Sequence, residues 1–552
     1  MAAGARPLRL SARQMTGSTD RRWRVAAGLA AVAALAVFLG GAGFALLAQA
    51  DRTPNLFALA SDRYLRGVVL FTLEQAALST LLAVIGALPL AVALHRARFP
   101  GRGLVLRLFL LPQALPVLVG ALAIIAVWGR NGVVSDLVAT LGFGRLNVYG
   151  LSGILIAHTF FNLPLAARLM VAALDGVPAE SWKLAGQLSL TPLTTFRLLE
   201  WPAIRTALPG ATSLIFMLCV TSFTLVLTLG GGPGATTLEV AIYQALRYDF
   251  DPGLAVFLAL IQIGLTALAL AVTLRLGETT PGGFTLGRRA RRYDPAQGFV
   301  RVLDLAVLAV GIAFVLSPFI ATIVAGLRSD LVALLADPNV QRAAMTSGVV
   351  ALAAATLALL LATPLLLARQ ALARSASSRR HAAWRGLFEL SGSLVLVVPP
   401  IVIGAGWFLL LRRVTDVFAA APFVVIATNA VMAMPFIVRI LAPALATSAE
   451  RHDRLAESLG LFGLARLRHV EWPALKAPLA LSFAFALALS LGDLGAMALF
   501  GSQDFVTLPY LLLQRMGSYR TADAAGLALL LGALCLALMA FAERGFRPEE
   551  GR

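Results

Sequence analysis

At 552 residues, with 59% hydrophobic and 13% charged side chains and a mean hydropathy of +0.83, the chain lies far from the roughly 25% charged composition of soluble domains. That excludes an ordinary soluble enzyme and marks a polytopic membrane protein. The net charge of +18 does not signal nucleic acid, because Lys and Arg concentrate in alternate inter-span segments, the positive-inside pattern of an inner-membrane protein with a cytoplasmic N-terminus.

The predicted elements begin with a cytoplasmic basic tail over 1–24 and a first span at Val25–Ala48. The tail and span imitate a secretory signal, but a signal core is about 7–15 apolar residues. This run is longer, so it is read as a retained signal-anchor helix. Spans follow at Val68–Leu94, Leu108–Trp128, Leu151–Ala173, Leu208–Leu229 and Gly253–Leu274, completing a first half over 25–276. A cytoplasmic linker over 277–300 carries Pro281-Gly282-Gly283 and then Arg288, Arg289, Arg291 and Arg292, read as a flexible joint with a topology signal. The second half, 301–543, is predicted to span at Val302–Leu327, Thr346–Ala368, Leu387–Leu411, Pro422–Ala446, Leu479–Phe500 and Ala522–Phe541, leaving a cytoplasmic tail over 544–552.

The halves are copies of one unit. Glu200-Trp201-Pro202-Ala203 returns as Glu471-Trp472-Pro473-Ala474, an offset of 271 (471 − 200), and Pro164/Pro435, Arg168/Arg439 and Tyr248/Tyr519 keep that spacing. Six spans per copy is an even number, so both copies enter the membrane in the same sense and their pseudo-two-fold axis follows the bilayer normal. The predicted fold is an all-α polytopic protein of about twelve transmembrane helices in two parallel six-helix repeats.

Each copy has one long cytoplasmic segment, about 174–207 and 445–477, with room for a helix on the membrane surface. Leu455, Leu459 and Phe462 recur at i, i+4, i+7 on one face, as do Leu184, Leu188 and Thr191. Such a face packs on lipid, on the protein's own spans, or in a groove of a soluble partner.

Lys183-Leu184-Ala185-Gly186-Gln187-Leu188-Ser189 and Arg454-Leu455-Ala456-Glu457-Ser458-Leu459-Gly460 each end 13 residues before a proline (202 − 189 and 473 − 460). This resembles the coupling segment of ABC-type import permeases, whose pattern is Glu-Ala-Ala, three residues, Gly, then a later Pro. Ala185 and Ala456 match the second alanine and Gly460 the glycine, while Lys183 and Arg454 replace the acid and Ser189 the first glycine. From about Tyr64 to Glu543 the chain resembles the fused two-half permeases of thiamine and thiamine pyrophosphate importers. The resemblance rests on His158-Thr159-Phe160-Phe161-Asn162-Leu163-Pro164, Gly230-Gly231-Gly232-Pro233, Gly492-Asp493-Leu494-Gly495 and Gly517-Ser518-Tyr519-Arg520. Fused iron(III) permeases share this architecture.

The resemblance implies a type I ABC importer transmembrane-domain fold. It implies ATPase coupling through Lys183, Ala185, Gly186, Ser189, Glu200, Trp201 and Pro202 in a segment over 178–203, and through Arg454, Ala456, Gly460, Glu471, Trp472 and Pro473 in one over 449–474. The implied partners are two copies of an ABC ATPase carrying ATP and Mg, a periplasmic thiamine-binding protein and membrane lipid, with no nucleic acid.

The chain carries no catalytic chemistry of its own. A phosphate loop needs Gly-Lys-Ser/Thr, and the two lysines, Lys183 and Lys476, follow Trp182 and Leu475. No cofactor or metal is assigned to the chain, and Cys219 and Cys535 are read as small buried hydrophobes. The alternative class, an ion-coupled secondary transporter, would use charges inside spans. Glu74, His158, Asp304, Glu389 and Asp493 have no shared spacing, which makes a poor relay. Asp493, between Gly492 and Gly495, is the deepest, and is either packed between helices or lines a substrate path.

Overall fold

The structure, a computed structural model, describes residues 7–49, 62–97, 99, 101–276, 292, 298–373, 379–394 and 397–545. Apart from Arg292 and 298–300, the predicted linker lies outside the described residues, as do 1–6 and 546–552 of the tails.

No strand occurs among the described residues, as expected where backbone groups in hydrocarbon must bond within their own helix. In chain order the helices are α1 (Pro7–Leu47), α2 (Arg63–Arg96), α3 (Arg102–Leu108), α4 (Leu111–Ala114), α5 (Val117–Trp128), α6 (Val133–Thr140), α7 (Leu151–Asp175), α8 (Ala179–Gln187) and α9 (Pro192–Thr195). They continue with α10 (Trp201–Val220), α11 (Phe223–Leu229), α12 (Leu238–Arg247), α13 (Pro252–Leu276), α14 (Gly298–Leu327), α15 (Leu331–Ala336), α16 (Pro338–Ala373) and α17 (Arg379–Leu394). The last are α18 (Pro400–Leu411), α19 (Val417–Ser458), α20 (Gly463–Arg466), α21 (Trp472–Gly492), α22 (Gly495–Phe500), α23 (Leu508–Gly517) and α24 (Thr521–Gly545).

Among the described residues, 11 helical stretches are long and apolar enough to cross a membrane. The predicted span without such a stretch is Leu387–Leu411, which is divided between α17 and the 12-residue α18. Pro399 and Pro400 supply no backbone N–H and force extended geometry on the residue before each, so a continuous helix cannot pass through them. The related α5 also has 12 residues and starts after Pro116, but α6 follows closely enough to complete a stretch over Val117–Thr140.

The chain folds as two compact units that do not follow the two sequence halves. The first comprises Gln49–Gln341 with Leu508–Ala533, and the second Met1–Ala48, Arg342–Thr507 and Leu534–Arg552. In the first unit α2 packs along α7, α10 lies against both, and α14 crosses α2 and α5. Its core includes Leu90, Leu94, Leu106, Phe109, Met170 and Ile215. Close approach is achieved with small residues, as is usual where lipid gives helices no hydrophobic drive to associate: a Cβ on Gly311 would come within 2.7 Å of Leu90.

In the second unit α1 runs against α18, and α19 against α21. Ala354, Ala358, Leu365, Met434, Ile437 and Leu441 form the core with Ala31 and Leu35 of α1. Trp407 Nε1 donates to the Phe38 carbonyl at 3.1 Å, and the two rings stack with centroids 5.4 Å apart. The first predicted span is therefore an integral piece of this unit.

Candidate functional site

The doubled Glu-Trp-Pro-Ala lies inside a continuous helical stretch in both copies, one starting at Pro192 and the other at Gly463. Phe196–Glu200 and Leu467–Glu471 wind as single π turns, and α10 and α21 continue from them without a break. Trp201 N–H reaches the Phe196 carbonyl and Trp472 N–H the Leu467 carbonyl, each five residues back. Pro202 and Pro473 follow immediately. A proline has no N–H to continue the i→i−4 ladder and its ring crowds the carbonyl four residues earlier, so a locally wider turn relieves both problems. The helical stretches that carry these spans thus start at Pro192 and Gly463, 16 residues before the predicted Leu208 and Leu479 (208 − 192 and 479 − 463).

Both glutamates are buried and clamped by arginines. Glu200, 0% exposed, receives Arg96 Nε at 3.0 Å and Nη2 at 2.6 Å, and Arg292 Nη1 at 2.7 Å. Arg292 also lies 3.0 Å from His95 Nδ1 and stacks 4.2 Å over the Trp182 ring. Glu471, 2% exposed, receives Arg24 Nη1 at 2.7 Å and Arg466 Nε at 3.2 Å. Arg24 is held in turn by Asp20 at 3.0 Å, and Arg466 bonds Asp453. Buried carboxylates need such partners, since desolvating an unpaired ion costs several kcal/mol.

Trp182 and Asp453 occupy the same position in the two copies (453 − 182 = 271). One meets its arginine through a ring face and the other through a carboxylate. Each copy thus links its short surface segment to the buried glutamate through one arginine. Arg24 and Arg292 stand ahead of the first span of their own half and bind the glutamate of the other half.

Copy one has the expected separate surface helix, α8, set off by Gly176-Val177-Pro178. Copy two does not. There α19 runs on from the membrane span to Ser458, because Thr447-Ser448-Ala449 replace the breakers. Both segments end alike: Leu190 N–H bonds the Ala185 carbonyl at 3.1 Å and Leu461 N–H the Ala456 carbonyl at 2.9 Å, a Schellman closure. It places Gly460 at φ 69° and Ser189 at φ 48°. Left-handed geometry costs a residue with a Cβ about 1–2 kcal/mol. Ser189→Gly is therefore expected to stabilise the fold by about 1 kcal/mol, visible as a higher melting temperature of the purified protein; a lower one would show that the serine hydroxyl matters more than the backbone.

Ala185 and Ala456 are buried against the protein, Gly186 is half-buried, and Lys183, Arg454 and Gly460 are exposed. Leu184, Leu188 and Leu193 are 55%, 62% and 60% exposed, and their copy-two partners Leu455, Leu459 and Leu464 are 58%, 64% and 78% exposed. Trp201 and Trp472 are exposed as well. Beside the second lies a groove of about 430 Å³ lined by His452, Leu455, Leu459, His469 and Pro473. An apolar surface repeated at one site in both copies is the signature of a contact face.

The repeat and the spacing point to the glutamates and the motif, but no local pattern singles out Arg24, Arg96, Trp182, Arg292, Asp453 or Arg466. Arg292, which its place in a basic linker marks as a topology signal, is buried at 2% exposure. Asp493 follows α21, and its carboxyl group lies beside the first turn of α22, where a Cβ on Gly495 would meet Asp493 Oδ1 at 3.5 Å. Arg168 bonds the Leu106 carbonyl. The Glu389 side chain lies outside the described residues. Cys219 and Cys535 are both buried.

The model of the binding-protein-dependent transport system inner membrane component family matches twice, over residues 80–278 and 371–544. The chain belongs to this family. As an inner membrane component it is a transport subunit of a multi-pass kind, and its domain is duplicated. It is 51% identical to the thiamine transport system permease protein ThiP of Brucella abortus (strain 2308), across 96% of this chain and 98% of that protein. Identity to the ThiP of Escherichia coli K12 is 43%, covering 88% and 90% of the two chains. For the Haemophilus influenzae ThiP it is 38%, covering 94% and 95%.

Proposed function

We propose that this chain is the transmembrane permease of an ATP-driven importer of thiamine and thiamine pyrophosphate. The observation that carries this is 51% identity to a thiamine permease over nearly its full length. In this reading a periplasmic binding protein delivers the substrate, and two copies of an ABC ATPase, holding ATP and Mg, dock on the leucine faces of 178–203 and 449–474. Both termini are cytoplasmic.

The geometry supplies a route for the ATPase's motion. A push on α8 or on the end of α19 reaches Trp182 or Asp453, then the arginine, then Glu200 or Glu471. Each glutamate sits in a π turn continuous with a spanning helix, so little of the push is lost in loops. Lys183 and Arg454 flank these links on the exposed side and complement acidic groups on the partner. The nucleotide state then biases a two-state equilibrium of the spans.

The test is reconstitution in proteoliposomes with the ATPase and the binding protein. Thiamine-loaded binding protein is expected to stimulate ATP turnover several-fold; stimulation by iron(III) instead would overturn the assignment. Leu184→Asp with Leu455→Asp should weaken ATPase binding by tenfold or more, because burying one leucine is worth about 1.5–3 kcal/mol. Unchanged co-purification of the ATPase would remove these faces from the dock.

A further inference from the structure

Within the first unit, around the end of α10, lies a patch of polar side chains that the fold does not require. Gln75 Nε2 donates to the Cys219 carbonyl at 2.9 Å, and Gln262 Nε2 lies 3.4 Å from both the Val220 carbonyl and Glu239 Oε1. Ser79 Oγ and His158 Nδ1 are 2.9 Å apart, and Asn162 reaches Cys219 Sγ at 3.5 Å. All six side chains are at most 4% exposed.

The second copy serves as an internal control. Burial matches between α2 and α16 at an offset of 275 (347 − 72), between α7 and α19 at 271, and between α13 and α24 at 269 (531 − 262). At the matched buried positions Gln75 becomes Val350, Ser79 becomes Ala354, Asn162 becomes Ala433 and Gln262 becomes Leu531. Glu239 becomes Tyr510 (510 − 239 = 271). The same architecture therefore packs with apolar side chains at four of the six positions, while His158 stays polar as the buried Asn429 (429 − 158 = 271) and Glu239 gives way to a tyrosine. Polar groups buried between spans cost free energy that an apolar residue does not, and their retention points to function.

The unfilled valences say what would bind. Gln75 Oε1, Gln262 Oε1 and Glu239 Oε2 are buried acceptors without a hydrogen-bond partner, and His158 Nε2 is likewise unpartnered. The C-terminal carbonyls of α10 add partial negative charge. A surplus of acceptors, one of them a carboxyl group, suits a positively charged ring bearing N–H donors. We infer that Gln75, Glu239 and Gln262 form a substrate-contact site in the first half, which holds a cationic, amino-bearing heterocycle when the spans part around it. The inference rests on the importer reading above and names where the permease itself recognises its cargo.

The assembled importer, reconstituted with ATPase and binding protein, would be compared with Glu239→Gln, Gln262→Leu and Gln75→Val, the last two being the second copy's own residues. Each variant is expected to lose at least tenfold in thiamine uptake, with a melting temperature equal to or above that of the wild type. Saturating thiamine should raise the melting temperature of the wild-type complex more than does thiochrome, an analogue without the ring charge, and Glu239→Gln should abolish that difference. Normal thiamine uptake in the variants, or loss of uptake explained by a fall in folded complex, would overturn the site and leave the importer reading intact. A wild-type complex that fails to take up thiamine would overturn both.

Discussion

Glu200→Leu is expected to cost about 3–5 kcal/mol, enough to deplete the folded protein at 37 °C. Two guanidinium groups, Arg96 and Arg292, converge on this one carboxylate at 2.6–3.0 Å, and an apolar replacement removes all three of these charge-assisted bonds from a buried cluster. Glu471→Leu should cost less, about 1.5–3 kcal/mol. There Arg24 keeps Asp20 and Arg466 keeps Asp453, so the cations retain acids. Melting of the detergent-purified permease, followed by tryptophan fluorescence, would rank the two. Equal losses would mean that the second acids do not share the charge of Arg24 and Arg466. For the same reason Glu→Gln is the better probe of transport, because it keeps the shape of the clamp.

Gly406→Leu should be the most damaging change in the second unit. A Cβ at this position would stand 2.5 Å from the Ala42 carbonyl oxygen and 2.8 Å from its Cα. Backbone atoms cannot swing aside as a side chain can, so the cost lies at or above the upper end of the roughly 1–3 kcal/mol found for overpacked cores. Separating α1 from α18 would also draw Arg24 away from Glu471. Gly43→Leu in α1 is the control, since nothing lies within 4 Å of a Cβ there, and it is expected to be neutral within about 0.5 kcal/mol. Similar melting temperatures for both variants would show that the α1–α18 contact is not tight.

Much of this was legible in the sequence, for identifiable reasons. Long apolar runs are unambiguous because a bilayer fixes helix length, and the repeat at 271 located the paired glutamates. The pattern predicts a surface helix in both copies, whereas Thr447-Ser448-Ala449 in place of Gly176-Val177-Pro178 let α19 run on as one helix. The clamps were not legible. Arg24 binds a glutamate 447 residues away, and no local pattern predicts which of 46 basic residues meets a given acid. Nor was the polar patch, because isolated Gln, Ser and Asn barely disturb the hydropathy of a span, and only burial aligned between copies reveals that one half is polar where the other is not.

The division into units also sets an order on biosynthesis. The second unit pairs Met1–Ala48 with residues that begin at Arg342, so α1 leaves the ribosome 294 residues (342 − 48) ahead of its partners. At about 5–20 residues per second that is a wait of roughly 15–60 s. During it α1 stands without the helices it packs against in its own unit. Its span has a mean hydropathy of 2.3 and is only 28% buried even in the finished fold, which equips it for that interval. Arg24 and Asp20, paired within α1 itself, spare each other an unpaired charge until Glu471 is made.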